Sequence, residues 1–556
     1  MPRLRRFLAT LLIGAGGTLG SHWADAQVRL DRADPSITEQ ALPQATKPGE
    51  TLTADPAVEA PAAVVENLAG ATGVVAAITV TGRTQLPSSA FAAVLTDYVG
   101  RQLGRDELAR LAGAVAGVAR RSGYPFASAS IEPQAMRSGI LRVTLDDGRV
   151  DAVRVIGAIN PVADRLLTRA LVTGRGVRRS ELERAILLVS DIAGVTVKSN
   201  RYTRQDGFGI LLVTIAQDRA SAYVQVDNRG SREVGPIRST MLASLRGLAG
   251  PGDELSLIAA QTPLNPSEFA FLRARYAAPV ANDGSILSVS GSYGRSNPGA
   301  SLARLDVVGK SVDLSAAYAR PLIRSRARSL WSTLEFRAIQ IRQTLAGVLL
   351  RDDRLATLTG SLNGAARVGG GVLRAEASVV GGLPLSGVSH EGDARISRRD
   401  GDARFATIGY TIDWTHTLSG PISLVLASSG QLASRPLLAT AEIGAGGPSF
   451  GRAYDYAERT GDNGILGSAE VRGDLGRIAP GVVERAQLYA FVDGGTVGNW
   501  RNGVGGGSLV SSGAGIRAGL FARLDGMIEV AVPLNADRFD TRNRRPRLSF
   551  RLSRSF

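Results

Sequence analysis

The 556 residues include no cysteine. That excludes a disulfide-stapled scaffold and a thiolate metal site, and it suits an exported protein that must not cross-link in an oxidising compartment. Histidine is almost missing as well. His22, His390 and His416 are the three, and residues so far apart make neither a metal-ligand spacing nor a catalytic triad. The glycines of Gly444-Ala445-Gly446-Gly447 lack a following Gly-Lys-Ser/Thr, so they are not a phosphate loop. Carboxylate pairs suited to hydrolysis occur by chance among 50 acids. Nothing in the chain argues for an enzyme or for a cofactor. Beyond the N-terminal segment there is no uninterrupted apolar run of ~18 residues, the length that a spanning helix needs. If the chain crosses a membrane, it must cross as a closed barrel, the form in which strands satisfy one another's backbone groups.

What the chain does have is basic charge, a formal net +15. The arginines and lysines are dispersed and paired with acids, and no basic run interleaved with aromatics stands out, so nucleic acid is rejected as a partner. A basic pore lining and contact with anionic lipid headgroups remain. The N-terminus carries a targeting pattern. Arg3, Arg5 and Arg6 precede an apolar stretch from Phe7 to Leu19, and Ala24-Asp25-Ala26 is a small-x-small site. Residues 1–26 therefore read as a secretory signal peptide cleaved after Ala26. Residues 27–73, rich in Ala, Pro, Thr and acids, read as a linker with a short helix around Pro35 to Ala45.

Two small α/β units are expected next, at 74–148 and 149–218, each a sheet covered by helices on one face. In the first, Val75 to Val80 reads as a strand. Leu108, Leu111, Val115 and Val118 recur at helical spacing within Arg105 to Arg121, and Gly123 follows as a cap. Strands at Ala127 to Pro133 and Ile140 to Leu145 lead to the turn Asp147-Gly148 and a strand at Val150 to Val155. The second round has helices at Ala163 to Leu171 and Arg179 to Ile192, then strands at Val195 to Arg204 and Gly209 to Ala216.

From about residue 219 the pattern is β to the end. Ile408, Tyr410, Ile412 and Trp414 alternate with Thr407, Thr411, Asp413 and Thr415; Ala469 and Val471 alternate with Ser468, Glu470, Arg472 and Asp474. Leu548, Phe550, Leu552 and Phe556 alternate with Arg547, Ser549, Arg551 and Ser553. A soluble sandwich or lipocalin-like barrel would show the same alternation with the polar face outside. The signal segment, the length of the β region and the aromatic Phe556, read as an assembly signal, favour an outer-membrane barrel at 219–556 with a wet interior. At roughly 20 residues per tilted strand and connection, about sixteen strands fit.

Several short motifs occur in one order. They are Tyr124, the Ser130-Ile131-Glu132-Pro133-Gln134 stretch, Gly139-Ile140-Leu141, Val224-Gln225-Val226-Asp227-Asn228-Arg229-Gly230, Gly252-Asp253, Gly513-Ala514-Gly515-Ile516-Arg517 and Val530-Ala531-Val532-Pro533-Leu534. In that order they resemble the outer-membrane transporters of two-partner secretion, the haemolysin secretion/activation (TpsB) type, over residues ~74–556. The resemblance implies two POTRA-type domains before the barrel. It also implies a long extracellular loop folded into the barrel, bearing a Val-Arg-Gly-Tyr motif followed by Gly-Asp-x-Gly. The matching residues here are Phe450-Gly451-Arg452-Ala453-Tyr454 and Gly461-Asp462-Asn463-Gly464, a departure in that Gly451 precedes the arginine and Ala453 follows it. The family's acid partner falls on Asp493 of Phe491-Val492-Asp493-Gly494-Gly495. A guanidinium inside a lumen needs a fixed carboxylate, and a bidentate pair would orient it.

The resemblance further implies a secretion pore in the outer membrane with its N-terminal domains in the periplasm. Those domains would capture an unfolded exported partner, a large β-helical protein, by strand addition. The barrel would pass it outward without a nucleotide. The barrel-assembly machinery and outer-membrane lipids are further expected partners. The alternatives are a barrel-assembly factor, which usually carries more α/β units, and a passive porin, which has no need of residues 74–218. A surface adhesin or barrel hydrolase would need long variable loops or a Ser/His pair.

Overall fold

A computed structural model describes residues 34–40, 42, 52, 58–59, 73–83, 85–132, 134, 138–205, 207–501 and 503–556. The expected signal segment 1–26, with its cleavage position after Ala26, lies outside the described residues.

Alternation of apolar and polar side chains has a simple geometric outcome in the C-terminal region. Sixteen strands, from Ala220–Asp227 to Arg547–Ser555, close into an antiparallel barrel, and the last pairs with the first, Arg551 opposite Asp227 and Ser555 opposite Tyr223. The expected class and approximate strand number hold. Closure removes the free edge that an open sheet would present. Apolar side chains point outward and remain exposed, among them Val312, Leu314, Tyr318, Leu334, Phe336 and Leu358. Along Val307–Arg324 the outward positions between Lys310 and Arg320 are Val312, Leu314, Ala316 and Tyr318. Ten residues at ~3.4 Å each, tilted by about 40°, span roughly 26 Å, the height of the apolar band of an outer-membrane barrel. Among the described residues no helix is long and apolar enough to cross a membrane.

Two α/β units precede the barrel. In the first, Ala77–Arg83 runs parallel to the central strand Ile140–Asp146, with Ser128–Ser130 antiparallel on its other side. Helix Arg105–Arg121 covers the sheet through Leu108, Leu111, Val115 and Val118; each such side chain contributes about 1.5–3 kcal/mol by leaving water. Its first strand begins later than the sequence pattern suggests. The amides of Val75 and Ala76 donate instead to Arg101 and Gly139 carbonyls outside the ladder. Short helical turns between Ser88 and Tyr98 were not anticipated. In the second unit, Ala152–Gly157 and Val195–Gln205 flank Phe208–Gln217, and Val58–Glu59 adds in parallel to the outer edge at Asn200 and Arg201. Helix Pro161–Leu171 starts two residues before the expected position because the Asn160 side chain accepts from the amides of Val162 and Ala163.

The second unit is fastened to the barrel. Arg324, at the end of its strand, donates to both carboxylate oxygens of Asp191 at 2.8 and 2.7 Å. Arg184 of helix Arg179–Ser190 donates to the Pro321 carbonyl at 3.0 Å. At the other end of the chain order, helix Pro35–Gln40 lies inside the barrel. Its Glu39 accepts from the inward-facing Ser311 hydroxyl, and Leu42 packs against Val234, Ile258, Phe269 and Phe271.

Candidate functional site

The barrel's inner wall becomes a site where four neighbouring strands turn their polar faces to one loop. The strands are Asn463–Gly476, Val483–Gly498, Gly507–Leu520 and Leu524–Pro533. Register brings inward residues into rows: Glu470 opposite Phe491, Asp493 opposite Ser468 and Ser511, and Glu529 opposite Gly515. Gly513 and Gly515 leave room here. A Cβ at either would stand 2.6 Å from the Phe491 ring or 2.5 Å from the Tyr489 hydroxyl. The two aromatic rings therefore form a shelf over bare backbone.

Into this wall folds the loop 446–458. A two-strand neck, Ile443–Ala445 against Arg459–Gly461, starts and ends it. Gly451 takes a left-handed φ of +84°, and the Tyr454 amide donates to the Gly451 carbonyl at 2.9 Å, which makes the tip a tight turn. The positive φ thus falls on the glycine before the arginine, and Ala453 is absent from the left-handed positions. The departure from Val-Arg-Gly-Tyr is accommodated this way. Tyr454 is fully buried, its hydroxyl 3.1 Å from the Ala536 carbonyl oxygen and 3.2 Å from the Val510 carbonyl oxygen.

Arg452 sits at the centre. Its Nη1 donates to Glu470 at 2.6 Å and lies 3.4 Å from Glu529, its Nε is 3.1 Å from Asp493, and its guanidinium carbon stands 4.0 Å over the Phe491 ring. The expected pair with Asp493 is present as an ion pair through Nε, while the bidentate form is not. Asp493 is held by the Ser511 hydroxyl and the Arg452 backbone amide, and its contact with Nε has the distance of an ion pair without the angle of a hydrogen bond. The carboxylate is turned by those two donors, so the guanidinium addresses the two glutamates instead. Further cations balance the cluster. Arg472 and Arg517 donate to Glu470 at 2.6 and 2.9 Å, Arg229 donates to Glu529 and to the Arg452 carbonyl, and Arg517 lies 3.8 Å over Tyr489.

Gly461 and Asp462 stand apart from this cluster, at the loop's neck. Asp462, with no exposed surface, accepts from the amides of Leu437 and Trp500 at 2.7 Å each and from Arg398 at 2.7 Å. The same Arg398 Nη1 reaches Glu442 at 3.3 Å. Glu442 lies just before the neck and Asp462 just after it, so a guanidinium from another loop joins the two ends. Phe556 lies at the other rim, exposed, with its amide on the Ala222 carbonyl at 2.8 Å.

Sequence reasoning singled out Arg452, Tyr454 and Asp493 and missed Arg229, Arg398, Glu470, Glu529 and Arg517 as members of these clusters. Glu470 was visible as part of a polar face, but its partners depend on strand register. Arg398 carries no local motif.

Among the described residues no group of three or more His, Asp or Glu could hold a metal.

Comparison with known proteins gives a consistent set. The model of haemolysin secretion/activation proteins ShlB/FhaC/HecB matches residues 209–518, and that of the ShlB-type POTRA domain matches 74–148. The heme/hemopexin transporter protein HuxB of Haemophilus influenzae is 23% identical over 405 residues, covering 72% of this chain and 71% of HuxB. The structure of CdiB from Escherichia coli superposes with a TM-score of 0.68 at 18% identity, over 98% of this chain and all of that one. BamA from Haemophilus ducreyi lacking POTRA domains 1–3 superposes with a TM-score of 0.53 at 14% identity, over 87% of this chain and all of that one.

Proposed function

The chain belongs to the haemolysin secretion/activation family, and from that premise we propose how this two-partner secretion translocator handles its cargo. The α/β domains at 74–148 and 149–218 lie in the periplasm and receive an exported partner in extended form. The edge strand Val195–Gln205 supports this reading. On its outer side Val58–Glu59 already adds in parallel at Asn200 and Arg201, the kind of strand addition that capture along this eleven-residue strand would use. Main-chain pairing of that kind tolerates varied sequence.

The barrel at 219–556 lies in the outer membrane and is the passage. The observation that carries the reading is Arg452, buried against Glu470, Asp493 and Glu529 on the inner wall. The loop pinned there and the helix seated on the inner wall both stand in the path of a polypeptide through the lumen, so both must shift for cargo to pass. Arg452, Tyr454 and Asp493 hold the loop's inner position, Gly461 and Asp462 hold its neck, and Phe556 marks the barrel for assembly. No nucleotide is invoked; folding or binding of the cargo outside drives transport. A general barrel-assembly role is less favoured, since the family model that matches is that of haemolysin secretion/activation proteins and two α/β units precede the barrel among the described residues.

Deleting residues 74–218 tests the division of labour. The remaining barrel should still show heat-modifiable gel mobility, and the partner should disappear from the medium. Normal secretion by the truncated protein would refute capture by these domains.

A further inference from the structure

The outward face of the barrel carries a local charge pattern that transport through the lumen does not use. At the rim opposite the α/β units, Arg295 of strand Ile286–Ser296 stands directly across from Lys310 of Val307–Arg324. Lys310 in turn stands across from Arg342 of Arg328–Leu345. All three are exposed. The row ends at Asp352 on Val348–Val368, which pairs with Arg342 at 3.4 Å and with Arg354 at 2.8 Å. Arg354 belongs to the adjacent row, with Gln340, Val312 and Tyr293. One carboxylate therefore stands beside four cations and pairs with two of them, Arg342 and Arg354; among the described residues no acid pairs with Arg295 or Lys310. In the other direction the same row continues through Ala270, Gln261 and Ser239, all uncharged.

Like charges directly opposite one another weaken a sheet, and this stretch does it twice in succession. The depth is informative. The row lies one step beyond Tyr293 and Val312, where the apolar band gives way to the headgroup layer. Strands ~4.8 Å apart put the three cations within roughly 10 Å, a span that phosphate groups can bridge with charge-assisted hydrogen bonds. Below them Val312, Leu314, Leu334 and Phe336 offer an apolar surface for acyl chains.

We propose that Arg295, Lys310, Arg342 and Arg354 form a binding site for the phosphate groups of a phosphorylated glycolipid of the outer leaflet. The site rests on the outer-membrane placement of the barrel given above, and it is independent of the lumenal loop. A bound headgroup turns the repulsive row into an attractive one and fixes the depth of the longest strands in the membrane.

The test uses the full-length protein in detergent and native mass spectrometry, with bisphosphorylated lipid A, its dephosphorylated form and inorganic phosphate as probes. Substituting Arg295→Gln, Lys310→Gln and Arg342→Gln together should cut retention of bisphosphorylated lipid A roughly a hundredfold. The same change should raise the lipid-free thermal midpoint, because it removes repulsion, an effect that a merely structural role would not give. Should the triple variant fail to assemble, Lys310→Gln alone carries the same test. Equal retention by variant and wild type would overturn the site. So would equal binding of dephosphorylated lipid A, or displacement of the lipid by equimolar phosphate. Cell fractionation reads the membrane placement separately, so its failure is distinguishable from failure of the site.

Discussion

Arg452→Ala is the most informative single change, and its size can be worked from the contacts. Removing one member of a buried ion pair costs about 3–5 kcal/mol, mostly by stranding the other charge. Here the stranding is partial. Glu470 keeps Arg472 and Arg517, and Glu529 keeps Arg229. Asp493 loses its one cation and keeps the Ser511 hydroxyl and the backbone amides of the loop tip. Loss of the ring contact with Phe491 adds about 0.5–2 kcal/mol. A net loss of about 3 kcal/mol in the hold on the loop follows, which shifts its docked-to-released ratio by roughly 150-fold. The barrel itself, closed by its own ladder, should be unaffected. Arg452→Lys should fail as well, because one ammonium reaches Glu470 or Glu529 but cannot also lie flat on Phe491. Hydrogen exchange of peptides spanning 446–458 reads release, and blotting the medium reads secretion. A double change with Asp493→Ala should be far from additive. Wild-type exchange in the loop and normal secretion by Arg452→Ala would refute the argument, and strictly additive effects with Asp493→Ala would place the action of Arg452 elsewhere.

Three further predictions concern other parts of the molecule. Glu39 is buried, which pushes its carboxyl up to about 7 from 4.5 despite the opposing Ser311 hydrogen bond and Arg273. Because the docked form holds its proton more tightly than the released one, docking of helix Pro35–Gln40 is fully favoured below about 4.5 and weakens as pH rises to about 7, by about 3 kcal/mol in all. Channel conductance should therefore rise between pH 5 and pH 8, and Glu39→Gln should abolish that dependence; an unchanged dependence would contradict the seating. Arg398→Ala should speed exchange at 446–458 while leaving strand Asn463–Gly476 protected, since it unfastens Glu442 from Asp462 at the neck, and uniform change across the barrel would count against it. Removing Phe556 should lower the amount of protein in the outer membrane with little effect on its folded fraction, and unchanged abundance would argue against a role in assembly.

Much of the barrel was legible because one physical rule, alternate side chains on opposite faces, writes itself directly into the order of residues. Ile408, Tyr410 and Ile412 say which face meets lipid without knowledge of any neighbour. Arg452 and Asp493 stood out through their motifs, and the structure puts them 3.1 Å apart. The rest of the cluster depends on register. Glu470 meets Arg452 only because the strands after residue 463 pair so that Ser468 lies opposite Asp493. Arg229 and Glu529 are 300 positions apart, and nothing local links them before the barrel closes. The bidentate fork expected on Asp493 failed for a related reason, since the Ser511 hydroxyl that turns the carboxylate comes from the next strand. Arg398 is the extreme case, a loop residue that besides its neighbour Asp400 reaches Glu442, Asp462 and the Trp500 carbonyl, all distant in sequence.

The central claim is that this chain exports one dedicated partner rather than assembling barrels in general. The direct measurement is to delete the chain in its own cell and follow two things together, the location of its exported partner and the abundance of unrelated outer-membrane barrels. The account predicts that the partner stays in the periplasm and is degraded, absent from surface and medium, while the other barrels stay at wild-type levels. A partner that still reaches the surface, or a general loss of barrels, would contradict it.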